Sequence, residues 1–397
     1  MSHIAICVPV GTGHVNPTLG VAAELVARGH RVSYAATTAH AGRVADAGAR
    51  LVPYRTLMND AGPPPQFTGQ DFAHAMTVAL DETEFVLPQV LSGFHGDDPD
   101  LVLHDATMAW WGRLAAASWS VPVVAGWPNL VGNRHWSMNR YVKVNPLRPK
   151  MLRALWRAQR LARRHGLNVA NLLQSAGADA QLVFLPREFQ YAGDTFGPPY
   201  AFVGPCLTDR PSDGDWEPPT ERATVLVSLG TAYHDRPDIF RACLAAFADA
   251  PWHVVVAIGS AVDAGDLGAV APHIEVRAAV PQLKVLPHAA AFVSHAGMGS
   301  TMESLAFGVP VVALPQMTEQ QANADRIAEL GLGVTLPATE VNPEALRAAV
   351  DHVITSAQVA ENVRLMRERI RAAGGAHAAA DVVERLLATR SDVPRTR

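Results

Sequence analysis

His295, Gly297, Gly299, Ser300, Thr301 and Glu303 follow a short apolar run at residues 290–294. The run reads as a buried strand, and the hydroxyls fall where a helix should begin. Such a junction turns free backbone N–H groups and the positive end of a helix dipole toward an anion. With an imidazole, two hydroxyls and a carboxylate added, the set can bind a diphosphate attached to a ribose. The chemistry it implies is use of a nucleotide-activated donor.

A second constellation lies near the amino end. His14 sits in the string Gly-Thr-Gly-His-Val-Asn-Pro, after an apolar run at residues 3–10. A helix is predicted from Pro17, with Asn16 as its N-cap. An imidazole at the carboxyl edge of a sheet can act as a general base near neutral pH; a structural histidine in a glycine-rich turn is the alternative. The third glycine of a dinucleotide fingerprint is missing. Asp105 follows the apolar run 101–104, so it can lie at the same edge and orient an imidazole through one ring nitrogen. It is equally placed to cap a helix starting near Thr107.

Ser228 and Thr231 close the first predicted strand of the second half. There, small residues and hydroxyls allow backbone to approach a phosphate, or make an ordinary strand-end turn. Glu319 and Gln320 follow the run 310–314. An acid and an amide at a strand end can bind sugar hydroxyls, or the acid can simply start a helix.

The elements that must position these groups alternate strand and helix. Strands are expected at residues 3–10, 31–36, 50–54, 101–104, 122–125 and 181–185, with helices at 17–28 and 38–47 among them. Repeated strand–helix units argue for parallel sheets covered on both faces, with ligands beyond the carboxyl ends of the strands. Residues 56–70 and 127–164 read as long irregular segments. Residues 205–219 are polar and Pro-rich like a linker, after which the rhythm restarts. A length of 397 residues also favours two domains. The expected division is 1–205, a linker 206–222, 223–375, and a final helical tail 376–397.

Bulk properties exclude several classes. With 49% apolar and 18% charged residues the chain is globular rather than disordered. A net charge of −4 gives no reason to expect nucleic-acid binding by bulk electrostatics. Cys7, Cys206 and Cys243 are too scattered for a disulfide framework or zinc site, so a reducing cytoplasm is the expected home. The amino end lacks the basic region of a signal peptide. No apolar stretch reaches the roughly 18 residues that span a membrane.

Taken in order, these motifs closely resemble the signature of UDP-dependent glycosyltransferases with the GT-B fold. The match comprises Pro281-Gln282, His295 through Ser300, Glu303 and Glu319-Gln320, with Gly13-His14-Val15-Asn16-Pro17 at the amino end. The form His-Ala-Gly-Met-Gly-Ser with Glu-Gln-x-x-Asn-Ala-Asp-Arg is similar to the macrolide glycosyltransferases of actinomycetes. The resemblance covers essentially the whole chain. It implies an α/β protein of two Rossmann-like doubly wound domains facing across a cleft, an acceptor-binding one first and a nucleotide-sugar-binding one second. The last helix would cross back to the first domain, and donor binding would close the cleft.

The resemblance also assigns roles. His295 would contact the β-phosphate, with Gly297, Ser300, Thr301, Ser228 and Thr231 around the diphosphate. Glu303 would bind the ribose, Val280 and Gln282 would frame the base, and Glu319 and Gln320 would hold sugar hydroxyls. His14 would be the base and Asp105 its partner. Val280 stands where plant members carry tryptophan, so the choice between uridine and thymidine stays open.

These roles imply an inverting enzyme that moves a hexose, glucose from UDP-glucose, onto a large apolar acceptor. No bound cofactor or metal is expected, because no carboxylates cluster. Phe67, Phe85, Trp110, Trp127, Trp136 and Met138 are candidate acceptor lining, with core packing the alternative for each. A dTDP-deoxysugar transferase, a nucleotide-sugar epimerase and a non-catalytic nucleotide-sugar-binding protein are the rivals. Monomer and homodimer are both compatible with the sequence.

Overall fold

The computed structural model describes residues 1–58, 69–219, 222–230 and 235–391. Phe67 and Thr231 lie outside these residues. The chain divides into two compact units. One holds residues 1–58, 69–208 and 373–391, the other residues 209–219, 222–230 and 235–372.

The first unit runs β1 (His3–Cys7), α1 (Thr12–Ala27), β2 (Arg31–Ala36), α2 (Ala41–Asp46), β3 (Arg50–Pro53), α3 (Gly69–Gly93), β4 (Leu101–Asp105), α4 (Trp110–Trp119), β5 (Val123–Trp127), α5 (Pro149–Arg164), α6 (Val169–Leu173), β6 (Ala180–Val183) and β7 (Tyr200–Phe202). The second runs β8 (Thr224–Ser228), α7 (Pro237–Ala246), β9 (His253–Ala257), β10 (Ile274–Arg277), α8 (Gln282–Val285), β11 (Ala289–Ser294), α9 (Met298–Phe307), β12 (Val311–Ala313), α10 (Thr318–Glu329), β13 (Gly333–Thr335), α11 (Pro343–Thr355) and α12 (Ala357–Ala372). The closing helix α13 (Gly375–Ser391) belongs to the first unit.

Both sheets are wholly parallel. Their orders are β3-β2-β1-β4-β5-β6-β7 and β10-β9-β8-β11-β12-β13. Alternate residues of a strand face opposite sides, and both sides are covered. In β1, Ala5 and Cys7 enter a core shared with α3, α4 and α5, while Ile4 and Ile6 enter one shared with α1 and α13. Arg28, at the end of α1, binds Asp381 and Glu384 of α13 at 2.7 and 2.6 Å.

Four sequence expectations change. The first concerns α1, which begins at Thr12 with Gly11 at the N-cap, not at Pro17. Asn16 accepts from Arg43 at 3.1 Å instead of capping, and Pro17 lies inside the helix, where its missing N–H forfeits a backbone bond. His14 therefore stands in the first turn of a helix.

The expected helix over 38–47 is a short 3₁₀ turn, Thr38–His40, followed by α2. Within the irregular stretch 127–164, residues Pro149–Arg164 form α5. Pro149 sits at its first turn, and Met151, Ala154, Ala158, Leu161 and Ala162 make the buried stripe. Finally, the expected linker contains Trp216, which is 6% exposed in the core of the second unit and donates to Glu275 at 3.1 Å.

Candidate active site

In an open parallel sheet, side chains meet a ligand where the strand order reverses, because neighbouring loops there leave to opposite sides. In the first unit that point lies between β1 and β4. The loop after β1 leads to His14, and β4 ends at Asp105. His14 Nδ1 and Asp105 Oδ2 are 2.9 Å apart. The other carboxylate oxygen accepts from Thr107 N at 2.9 Å, Thr107 Oγ1 at 2.6 Å and Met108 N at 2.9 Å. The two readings of Asp105 therefore hold together: one oxygen caps the turn toward α4, and the other takes the imidazole.

Burial pushes the Asp105 carboxyl up. The neighbouring His14, the Thr107 hydroxyl and the Met108 N–H outweigh that and hold it below the usual carboxylate range. An ionised carboxylate only accepts, so the His14 proton belongs on Nδ1 and the lone pair on Nε2. Asp105 is 2% exposed and His14 20%, so the pair is anchored in the core and part of the imidazole reaches the surface. His104, one residue earlier, faces the other side of the sheet. Its Nδ1 lies 3.0 Å from the Asp105 carbonyl, and burial drops its pKa to about 4.

In the second unit the order reverses between β8 and β11, where Ser228 and Ser294 end the strands in register. Two glycines close over His295. A Cβ on Gly230 would lie 2.5 Å from its Cε1, and one on Gly297 would lie 2.3 Å from its Nε2. Ala296 takes φ +61°, a left-handed turn made tolerable by Asn323, whose amide donates to the Ala296 carbonyl at 3.0 Å. α9 then starts from Gly297 with no side-chain cap, so its first N–H groups remain available to an anion.

Burial drops the His295 pKa to about 4, against a smaller opposing effect of the Ser228 carbonyl. The imidazole is thus neutral near pH 7, a donor at one nitrogen. Among the described residues, His295 Nδ1 and Thr301 Oγ1 are buried without a hydrogen-bond partner.

Beside this turn lies a polar cluster. Glu303 accepts from Arg210 at 2.6 Å and from Gln282 at 2.6 Å, and Gln282 also reaches Ser300 at 3.4 Å. Arg210 and Glu303 are 7% and 6% exposed. Val280 packs partly buried against the core around Trp216. Among the described residues, no group of three or more His, Cys, Asp or Glu is arranged to hold a metal ion.

A profile of the erythromycin biosynthesis protein CIII-like C-terminal domain matches residues 241–388. Demethyllactenocin mycarosyltransferase of Streptomyces fradiae is 40% identical over 98% of this chain and 87% of its own length. The chain belongs to the GT-B glycosyltransferases. An NDP-glycosyltransferase, YjiC of Bacillus licheniformis, is 35% identical over 97% of this chain and 98% of its own. The crystal structure of CalG4, the calicheamicin glycosyltransferase, superimposes with a TM-score of 0.84 at 34% identity, covering 99% of this chain and all of that one.

For a glycosyltransferase, the sites expected from sequence assemble unevenly. His14 meets Asp105; Gln282, Ser300 and Glu303 form one cluster; His295 and Gly297 share the turn after β11, next to Ser228 at the end of β8. Gln320 does not join them. It is 5% exposed and folds back, accepting from Gln316 N at 2.8 Å and donating to the Met317 sulfur at 3.3 Å. Glu319 stays partly exposed in the first turn of α10.

The acceptor candidates separate as well. Trp110 is buried at 7% in the core under α4, with Phe85 and Trp127 packed against the same core. Trp127 is tied to Gln181 at 2.5 Å. Trp136 stacks on Tyr191 at 4.8 Å, and Met138 opens a 3₁₀ turn.

Sequence reasoning missed Arg210, hidden in linker composition, and Asn323, whose role depends on the φ of Ala296. Thr107 went unnoticed as a ligand of Asp105, although an Asx-type turn at a strand end was the signal.

Proposed function

We propose that this glycosyltransferase transfers a hexosyl group from UDP-glucose to a hydroxyl of a large apolar natural product, a macrolide or polyphenol, with inversion. The observation that carries the reading is the 2.9 Å contact between His14 and a carboxylate whose other oxygen is fully engaged. In that reading Nε2 of His14 removes the acceptor hydroxyl proton. The oxygen attacks the anomeric carbon opposite the diphosphate, the bond from that carbon to the diphosphate oxygen breaks, and an α-linked donor gives a β-glycoside.

The leaving diphosphate meets a neutral His295 N–H and the uncapped N–H groups of α9, which stabilise developing negative charge. Ser228, Gly297, Ser300 and Thr301 complete its surroundings without a metal. Glu303 and Gln282 take the ribose and base end beside Val280, and Glu319 takes sugar hydroxyls. Histidine to alanine at position 14 should abolish transfer to hydroxyl acceptors and leave UDP affinity intact. Turnover near wild type would overturn the assignment.

One observation favours a second donor, a dTDP-deoxysugar. Gln320 is engaged at both ends of its amide, Glu319 accepts from Asn323 at 3.3 Å, and Val280 offers no indole to the base. Competition between UDP and dTDP for the free enzyme, together with the mass gained by the acceptor, separates the two donors. Isomerised donor with no glycosylated acceptor would instead indicate an epimerase.

A further inference from the structure

Between Asp105 and Asp179 the chain carries eleven arginines and lysines and no aspartate or glutamate, within a protein of net charge −4. Seven of the eleven fall between Arg148 and Arg164, on or just before α5. The buried stripe of α5 faces α3 and the core, so the cations emerge on the outer face. Arg157 is spent on Asp81 and Glu84 of α3. Arg153, Arg160, Arg163 and Arg164 are exposed and form no ion pair among the described residues.

The same face presents apolar side chains. Leu152 is 49% exposed and Trp156 63%, and Leu147 just ahead of the helix is 76% exposed. Arg160 lies over the Trp156 ring at 5.6 Å. Trp156, Gln159, Arg160, Arg163 and Arg164 line a surface depression of about 430 Å³.

We infer that this face of α5 docks on an anionic lipid bilayer. Unpaired arginines supply long-range attraction to acidic headgroups, and an exposed tryptophan flanked by leucines supplies shallow insertion at the headgroup level. An acidic protein would account for the arginines but not for Trp156 and Leu152 on the same stripe. No helix of the described residues is long and apolar enough to cross a membrane, so the contact is peripheral. It would place an enzyme for apolar acceptors at the phase into which such acceptors partition.

The test is co-sedimentation of the full chain with phosphatidylcholine vesicles, with and without about a third phosphatidylglycerol. Wild type should bind only the anionic vesicles and release as salt rises. The triple change Arg153→Gln, Arg160→Gln and Arg163→Gln should weaken partitioning about fivefold per cation, roughly a hundredfold in all. Trp156→Ala should weaken it about tenfold.

Circular dichroism and transfer to a water-soluble acceptor should be unchanged in both variants. The salt titration of wild type tests the idea even where a variant fails to fold. Equal binding to neutral and anionic vesicles, or undiminished binding by the triple variant, would overturn it. So would capture on polyglutamate or duplex DNA with no vesicle binding.

Discussion

At the switch point of the first sheet, β1 and β4 deliver a histidine held by a carboxylate that is itself held by three further donors. At the switch point of the second, β8 and β11 deliver a histidine roofed by two glycines and followed by an uncapped helix. Topology is the same in both places, and chemistry differs through what surrounds one imidazole. A buried carboxylate keeps the lone pair of His14 on Nε2, where it can accept a proton. Desolvation keeps His295 neutral, and open N–H groups make its surroundings suited to negative charge. A doubly wound fold thus supplies a position, and the neighbours decide between moving a proton and holding an anion.

The sharpest way to break this contrast is Asp105→Asn. If the carboxylate fixes the His14 proton, turnover should fall by about 10²–10⁴-fold, with nucleotide affinity unchanged within about twofold. Turnover at saturating substrates and calorimetric nucleotide binding check both halves. A carboxylate that only caps the turn would instead lower stability and leave turnover near wild type.

Acid should affect both units, and nucleotide should rescue only one. Unfolded imidazoles protonate near pH 6.5, whereas His104 and His295 stay neutral down to about pH 4. In that window the unfolded chain binds more protons, so stability falls as pH drops from about 6.5 toward 4. The loss is on the order of 3 kcal/mol for the fully buried His104. A diphosphate against His295 would raise its pKa and relieve its share, while nothing relieves His104. Denaturant midpoints with and without UDP should therefore separate more at about pH 5 than at about pH 7; a pH-independent gap would remove His295 from the anion site.

Among the described residues, Arg210 has no counterpart at the first switch point. Arg210→Ala leaves the buried Glu303 carboxylate with Gln282 alone, and should destabilise the second unit by about 3 kcal/mol. A loss under about 1 kcal/mol, read from the urea midpoint shift multiplied by the m-value, would mean the pair is screened by solvent.

The sequence made strands legible because parallel strands buried on both faces are short continuous apolar runs; β2 lies where its pattern put it. His14, Asp105 and His295 were legible because each falls at the end of such a run. Helix starts were less so. Pro17 and Asn16 signal a helix start, yet α1 begins five residues before Pro17, so the proline lies inside the helix and gives up a backbone bond there. Aromatic residues left two readings open from composition, pocket lining and core packing; the structure packs Trp110 into a core and stacks Trp136 on Tyr191. Arg210 was invisible because its partner is 93 residues away.

Gly297→Ala probes the second switch point with the smallest change. Gly297 has ordinary helical-cap backbone, φ −61°, so alanine brings no backbone strain, unlike at Gly230 with φ +77°. Its Cβ would meet the His295 ring at 2.3 Å, and the ring must move away from the helix start. Nucleotide affinity should drop about tenfold, which corresponds to losing one charge-assisted hydrogen bond of about 1.4 kcal/mol. UDP and dTDP should lose equally, because the change touches the diphosphate and not the base. Turnover at saturating donor should fall far less than in Asp105→Asn. A variant that loses turnover while keeping its nucleotide affinity would mean His295 acts in the proton chemistry too, and the division of labour between the two sheets would collapse.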